Sequence, residues 1–229
     1  MYELDDLATR EAPLVCIMVG SRGRCWSCGE TLLPNEVAGA CPPCWWQWPS
    51  LADDGASCVL ARERSGLPVF GLGFRLRKPT ESVVHRMKYG GFPKHGHALG
   101  MWVGRRWRAP PENTTLIPVP SHWRRLWRRG FNPSEAFCAG LANAWCRDMS
   151  TIMLKRVQHR ASLTEATRGE RLDALEGMFE SAHRDVTTRS RNVILVDDVL
   201  TTGATFRACQ KSLTAAGHNV MGGVWLALA

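Results

Sequence analysis

The stretch VILVDDVLTTGAT, residues 193 to 205, decides how the rest of the chain is read. Val193, Ile194, Leu195 and Val196 form an unbroken aliphatic run, the pattern of a strand covered on both faces inside a parallel sheet. Asp197 and Asp198 are expected at its carboxyl end, where open α/β sheets place their ligands. Thr201, Thr202, Gly203, Ala204 and Thr205 follow, and FRACQKSLTAAG then shows helical spacing through Phe206, Cys209 and Leu213, with Gly217 as the stop signal. A Thr/Gly loop that opens a helix directs N–H groups and hydroxyls at one point, where the helix dipole adds partial positive charge. A phosphate fits that point. Two adjacent carboxylates close by would accept hydrogen bonds from vicinal hydroxyls, so the stretch describes a cradle for a ribose 5-phosphate. A phosphorylated-aspartate receiver or the acidic strand of an NTPase is the rival reading, weakened by the lack of any GxxxxGKS or GxxxxGKT loop.

At 229 residues the chain is long enough for a substantial core and one or two domains. Hydrophobic residues make up 45% and charged residues 22%, the balance of a soluble globular protein. A formal charge of +8 makes a polyanionic partner plausible. No apolar run approaches the ~20 residues that span a bilayer, so membrane insertion is not expected. The opening MYELDDLATREAP is acidic ahead of the short apolar LVCIMVG, the reverse of a secretory signal, and a cytoplasmic location is expected.

Nine cysteines are present, and four of them stand in two CxxC pairs. Cys25, Cys28, Cys41 and Cys44 give C-x2-C-x12-C-x2-C, which suits a tetrahedral structural zinc with four thiolates. So short a module, with few large aliphatics, depends on its metal to fold. Residues 1 to 50 are read as this ribbon-like zinc module and 51 to 66 as a linker. Cys16, Cys58, Cys138, Cys146 and Cys209 lack partners at ligand spacing and are read as packing residues. Trp45, Trp46 and Trp48 either stack on bases or pack the module against the next domain.

Between the module and the acidic stretch, SVVHRMKYGGFPKHGHALGMWVGRRW reads as a basic helix, a turn and a second helix. His85, Arg86 and Lys88 reach a diphosphate or form a solvated face. TTLIPVP, residues 114 to 120, is a second apolar strand, and SHWRRLWRRGFN behind it carries Arg124, Arg125, Arg128 and Arg129 without an acid. In a helix Trp123 and Trp127 share a face at i,i+4, with Arg124 and Arg128 beside it. Indoles interleaved with guanidiniums suit single-stranded nucleic acid, and they equally suit a diphosphate. Residues 133 to 145 read as an amphipathic helix, TIMLKR as a strand, the polar Arg-rich stretch after it as a lid, and NVMGGVWLALA as the closing strand.

The 193 to 205 stretch resembles the 5-phosphoribosyl-1-diphosphate motif of type I phosphoribosyltransferases. Read with the CxxC pairs, HRMKYGG, LIPVP, RRGFNPSEAFCAGLA and LKRVQHRASLTEATRGERLDALEGMF, the chain resembles the ComF family from about Cys25 onward. The family usually has Thr, Gln and Asn where this chain has Arg160, Leu163 and Ala174.

The resemblance implies an α/β phosphoribosyltransferase-like domain over 67 to 229, with a parallel sheet flanked by helices. It also implies 5-phosphoribosyl-1-diphosphate as ligand with Mg²⁺. Asp197 and Asp198 would hold the ribose hydroxyls and residues 201 to 205 the 5-phosphate, with Lys88 and Arg129 as candidates for the diphosphate. DNA uptake in natural transformation, single-stranded DNA and a competence helicase are the implied biology. Trp123, Trp127, Arg124, Arg125 and Arg128 are the nucleic-acid candidates. Two functions stay open: a DNA-handling factor that binds the sugar diphosphate, and an active transferase of nucleotide salvage.

Overall fold

The computed structural model of the chain describes residues 24–25, 28–31, 41, 44, 51, 54–78, 80–90, 93–157, 177–181 and 190–229. Among these the chain order begins α1 (Gly55–Ser65), β1 (Val69–Arg75), α2 (Thr80–Tyr89), α3 (Pro93–Gly104), β2 (Thr114–Pro118), α4 (Trp123–Arg129) and α5 (Pro133–Trp145). It continues through β3 (Asp148–Met149), β4 (Leu154–Arg156), β5 (Phe179–Ser181), β6 (Asn192–Leu200), α6 (Ala204–Ala215) and β7 (Asn219–Leu228). Five strands form one sheet in the order β1-β7-β6-β2-β3, and every pairing is parallel. β4 and β5 make a separate antiparallel ribbon.

The aliphatic run of β6 lies at the centre of the sheet, with Val193, Ile194, Leu195 and Val196 fully buried. Side chains of a strand alternate between faces. Ile194 and Val196 accordingly pack with Leu99, Phe137 and Leu141 of α3 and α5, while Val193 and Leu195 pack with Phe206, Cys209 and Leu213 of α6. Both faces are therefore covered, as an unbroken aliphatic strand requires. α3 and α5 cross in backbone contact: a Cβ at Gly100 would overlap the Phe137 carbonyl, and one at Gly140 the His97 carbonyl.

Three expectations are corrected here. The strand does not end before the acids, because β6 runs on to Leu200. Its pairing with β2 stops at Val196, whereas pairing with β7 continues through Asp197, Val199 and Leu200. The acids thus lie beyond the end of one neighbouring strand while the other still holds their backbone. Residues 55–65, read as linker, are helical, because the Asp54 carboxylate caps the first turn at the Ser57 N–H and left-handed Gly66 ends the last. Ala61 of this helix and Leu51 before it are buried with Phe206 and Trp225. Cys146, read as a packing residue, is exposed and holds the left-handed C-cap of α5 at φ 51°. Cys138 and Cys209 are buried, as expected.

TIMLKR becomes a strand only from Leu154. The polar stretch at 158–176, the Trp45, Trp46 and Trp48 cluster and Cys16 lie outside the described residues. Among the described residues no helix is long and apolar enough to cross a membrane.

Candidate ligand site and four-cysteine cluster

Adjacent residues on a strand diverge, and the two acids of β6 find different partners. Asp197 Oδ1 accepts the Ser134 hydroxyl at 2.7 Å and the Asp198 backbone N–H at 2.8 Å. Asp198 Oδ1 lies 3.0 Å from Lys88 Nζ, which stands near the end of α2. Burial, together with the neighbouring Asp198 charge, pushes the Asp197 carboxyl up to about 7. The two donated hydrogen bonds and the Lys88 charge pull the other way and are outweighed.

Ser134 and the residue that places it were not singled out from the sequence. Asn132 caps α5, its Oδ1 accepting the Ser134 N–H at 3.3 Å and the Ser121 hydroxyl at 2.7 Å. Its Nδ2 donates to the Val119 carbonyl at 3.1 Å. One N-cap thereby ties the loop after β2 to the start of α5, and Ser134 carries that order to Asp197. The readable signal was Asn-Pro-Ser-Glu, an N-cap followed by Pro at the first helical position.

After β6, Thr201 and Thr202 are exposed and Gly203 is buried in the left-handed region at φ 75°. Gly203, the N-cap of α6, offers no side-chain cap, and Thr202 Oγ1 accepts the Ala204 N–H at 3.4 Å, so the donors of the first turn beyond Ala204 are the ones a ligand would meet. Gly203 lies so close to the Arg64 carbonyl at the end of α1 that a Cβ would overlap it, and Arg207 Nη1 donates to the same oxygen. The segment read as a linker therefore braces the loop.

The structure separates the remaining candidates. Lys88 meets Asp198, and Arg129 Nη2 donates to the Tyr89 hydroxyl at 2.9 Å with its guanidinium 4.5 Å from that ring's centroid. α4 buries none of its residues: Trp127 is 87% exposed, Trp123 49%, and Arg124, Arg125 and Arg128 are exposed. His85, read with Lys88, is exposed and meets the Tyr89 ring in a tilted contact at 4.7 Å, extending the aromatic and basic face of α4 onto α2.

The ligand atoms of Cys25, Cys28, Cys41 and Cys44 all lie within 4.8 Å of one another, and the Cys28 and Cys41 sulfurs are 3.7 Å apart. Sulfurs of a tetrahedral zinc site with Zn–S near 2.3 Å are about 3.8 Å apart, so the cluster fits a metal such as zinc. The Cys41 N–H donates to Cys25 Sγ at 3.4 Å, a bond that favours a thiolate there. A backbone hydrogen bond at Cys44 pulls the Cys41 thiol down, but burial and side-chain hydrogen bonds from Cys44, Cys25 and Cys28 push it up to about 12. Four crowded sulfurs keep their protons unless a cation replaces them.

The sheet and its flanking helices define an α/β protein with a fold consistent with type I phosphoribosyltransferases. No family model matches the chain. It is 30% identical over 137 residues to the DNA utilization protein YhgH of Salmonella typhi, covering 56% of this chain and 57% of that protein. It is 34% identical over 104 residues to competence protein F of Haemophilus influenzae, covering 44% of each. YhgH of Escherichia coli O6:H1 is 29% identical over 135 residues. The chain spans about half the length of the curated relatives it matches. It is homologous to YhgH and to competence protein F, proteins of the ComF family.

Proposed function

We infer that the chain binds 5-phosphoribosyl-1-diphosphate with Mg²⁺ and serves DNA utilization by handling single-stranded DNA. The observation that carries this reading is the pair of differently held acids on β6 beside the Thr/Gly turn into α6. One oxygen of each carboxylate is committed, Asp197 Oδ1 to Ser134 and Asp198 Oδ1 to Lys88, and the other oxygen of each would accept ribose hydroxyls. The turn supplies amides and the Thr201, Thr202 and Thr205 hydroxyls to the 5-phosphate. A hard cation prefers oxygen ligands, and an Asp197 carboxyl raised to about 7 by burial and Asp198 is a site that added positive charge would relieve. Mg²⁺, when bound, would supply charge neutralisation at the diphosphate. Asp197 and Asp198 would orient the sugar.

The DNA part of the reading rests on the relatives' names and on α4, whose exposed indoles and guanidiniums meet bases and phosphates together. A cytoplasmic site of action and a helicase partner belong to the same reading. Calorimetry with 5-phosphoribosyl-1-diphosphate and Mg²⁺ tests the cradle: Asp197→Asn with Asp198→Asn is expected to abolish binding, and unchanged affinity would refute it. A diphosphate-release assay with and without single-stranded DNA decides between a binding factor and an active transferase.

A further inference from the structure

The loop after β2, α4 and the β4-β5 ribbon line an open cavity of about 650 Å³. That size falls among small-ligand pockets of roughly 300 to 1,000 Å³. No residue of the 197 to 205 cradle lines it. Arg124, Lys155, Arg156 and His122 do, and no Asp or Glu is among the lining residues.

These cations crowd one another. Arg156 keeps apolar company, its guanidinium 5.3 Å from the Phe179 ring centroid and Nη2 donating to the Met178 sulfur at 3.5 Å. Burial, then the nearby Arg125 charge, lowers the Arg156 pKa. Burial, then Arg156, Arg124 and Arg125, lowers that of His122. Like charges around a concave space are relieved by an anion, and guanidiniums pair with phosphate in bidentate fashion. Trp123 adds a half-exposed indole on the same wall, stacked with the His122 ring at 5.8 Å. The Arg124 guanidinium lies 5.3 Å from the centroid of the same indole, so an anion held by Arg124 brings an attached base against the exposed part of the ring, a surface that a bare phosphate does not cover.

We propose that this cavity takes a nucleotide unit, its phosphate held by Arg124, Lys155 and Arg156 and its base against Trp123. Its lining shares no residue with the ribose-phosphate cradle, although Ser121 on its wall bonds Asn132, the cap of the helix whose Ser134 reaches Asp197. The unit comes either from a free mononucleotide or from the 5′-phosphorylated end of a single strand. Both sources present the same chemistry.

The test uses the full zinc-loaded chain and measures binding of deoxyadenosine 5′-monophosphate, inorganic diphosphate, and a short single strand with and without its 5′-phosphate. Arg124→Ala with Lys155→Ala, both exposed and safe for folding, is expected to weaken mononucleotide binding by about tenfold or more. Trp123→Leu is expected to weaken it while leaving diphosphate binding unchanged. Trp127→Ala, outside the cavity lining, should weaken the strand but not the mononucleotide. Asp197→Asn should lose the sugar diphosphate and keep the mononucleotide, so failure of either site is seen separately. A strand gaining affinity from its 5′-phosphate assigns the unit to strand ends, and preference for the free mononucleotide assigns it to a small molecule. Parental mononucleotide affinity in the Arg124/Lys155 variant, or no mononucleotide binding by the parent, would overturn the proposal.

Discussion

Asp197 is the residue on which pH acts most directly. Its carboxyl is pushed from the ordinary 3.8 to about 7 by burial and by Asp198, so between those values the folded chain holds a proton that the unfolded chain releases. Stability from this group is full below pH 4, falls as pH rises toward 7, and stays low above it. Asp197→Asn removes the ionisation and is expected to flatten that slope, gaining stability at pH 8 relative to the parent. Urea titrations of both proteins at pH 5 and pH 8 check it, and equal slopes would exclude Asp197 as the source. Gly203 is constrained differently, by a φ of 75° and by contact with the Arg64 carbonyl. Gly203→Ala is expected to cost about 1–2 kcal/mol from the left-handed backbone alone, with further loss from the displaced end of α1. A lowered urea midpoint together with weakened sugar-diphosphate binding is the expected result.

At the scale of elements, α4 is unusual in burying nothing. Seven residues are too few to be helical in isolation, so its caps and tertiary contacts hold it. His122 Nδ1 accepts the Arg124 N–H at the start, left-handed Gly130 closes the end, and Arg129 is fastened to Tyr89. Arg124 lies 5.3 Å from the Trp123 ring centroid and Arg128 5.9 Å from that of Tyr89, and both stay exposed on this frame. Arg124→Ala, Arg125→Ala and Arg128→Ala in one chain are expected to reduce the slope of log affinity against log salt for single-stranded DNA by about 2, at ~0.7 per phosphate neutralised. The melting temperature should barely move, since none of the three is buried. An unaltered slope would remove α4 as the contact surface.

At the scale of the molecule, the cysteine cluster and the sheet share packing. Cys25, Cys41 and Cys44 belong to the same buried cluster as Val83, Met87, Phe74 and Trp102, and Arg86 Nη1 donates to the Cys25 carbonyl at 3.3 Å. Metal binding at the thiolates is therefore linked to the stability of the face that carries α2, the helix of Lys88. One zinc per chain is expected by elemental analysis, matching the one four-cysteine cluster among the described residues. Chelation is expected to lower the melting temperature and to weaken sugar-diphosphate binding as α2 loosens. A chelated protein that melts as before would separate the cluster from the fold.

Local sequence by itself determined the parts whose causes are local. The aliphatic run could only be a doubly covered strand, the Thr/Gly turn could only precede a helix, and two CxxC pairs placed four sulfurs where one metal fits them. Tertiary structure alone decided what those parts face. Ser134 meets Asp197 across 63 positions of chain, Lys88 takes Asp198 rather than standing free, and a helix read as a linker braces the loop at Gly203. Residue periodicity reports which side of an element is apolar, and it carries no information about which distant element comes to lie against it. Such partners follow from the path of the chain through the sheet, where β6 sits between β2 and β7 and brings together residues that no local pattern connects.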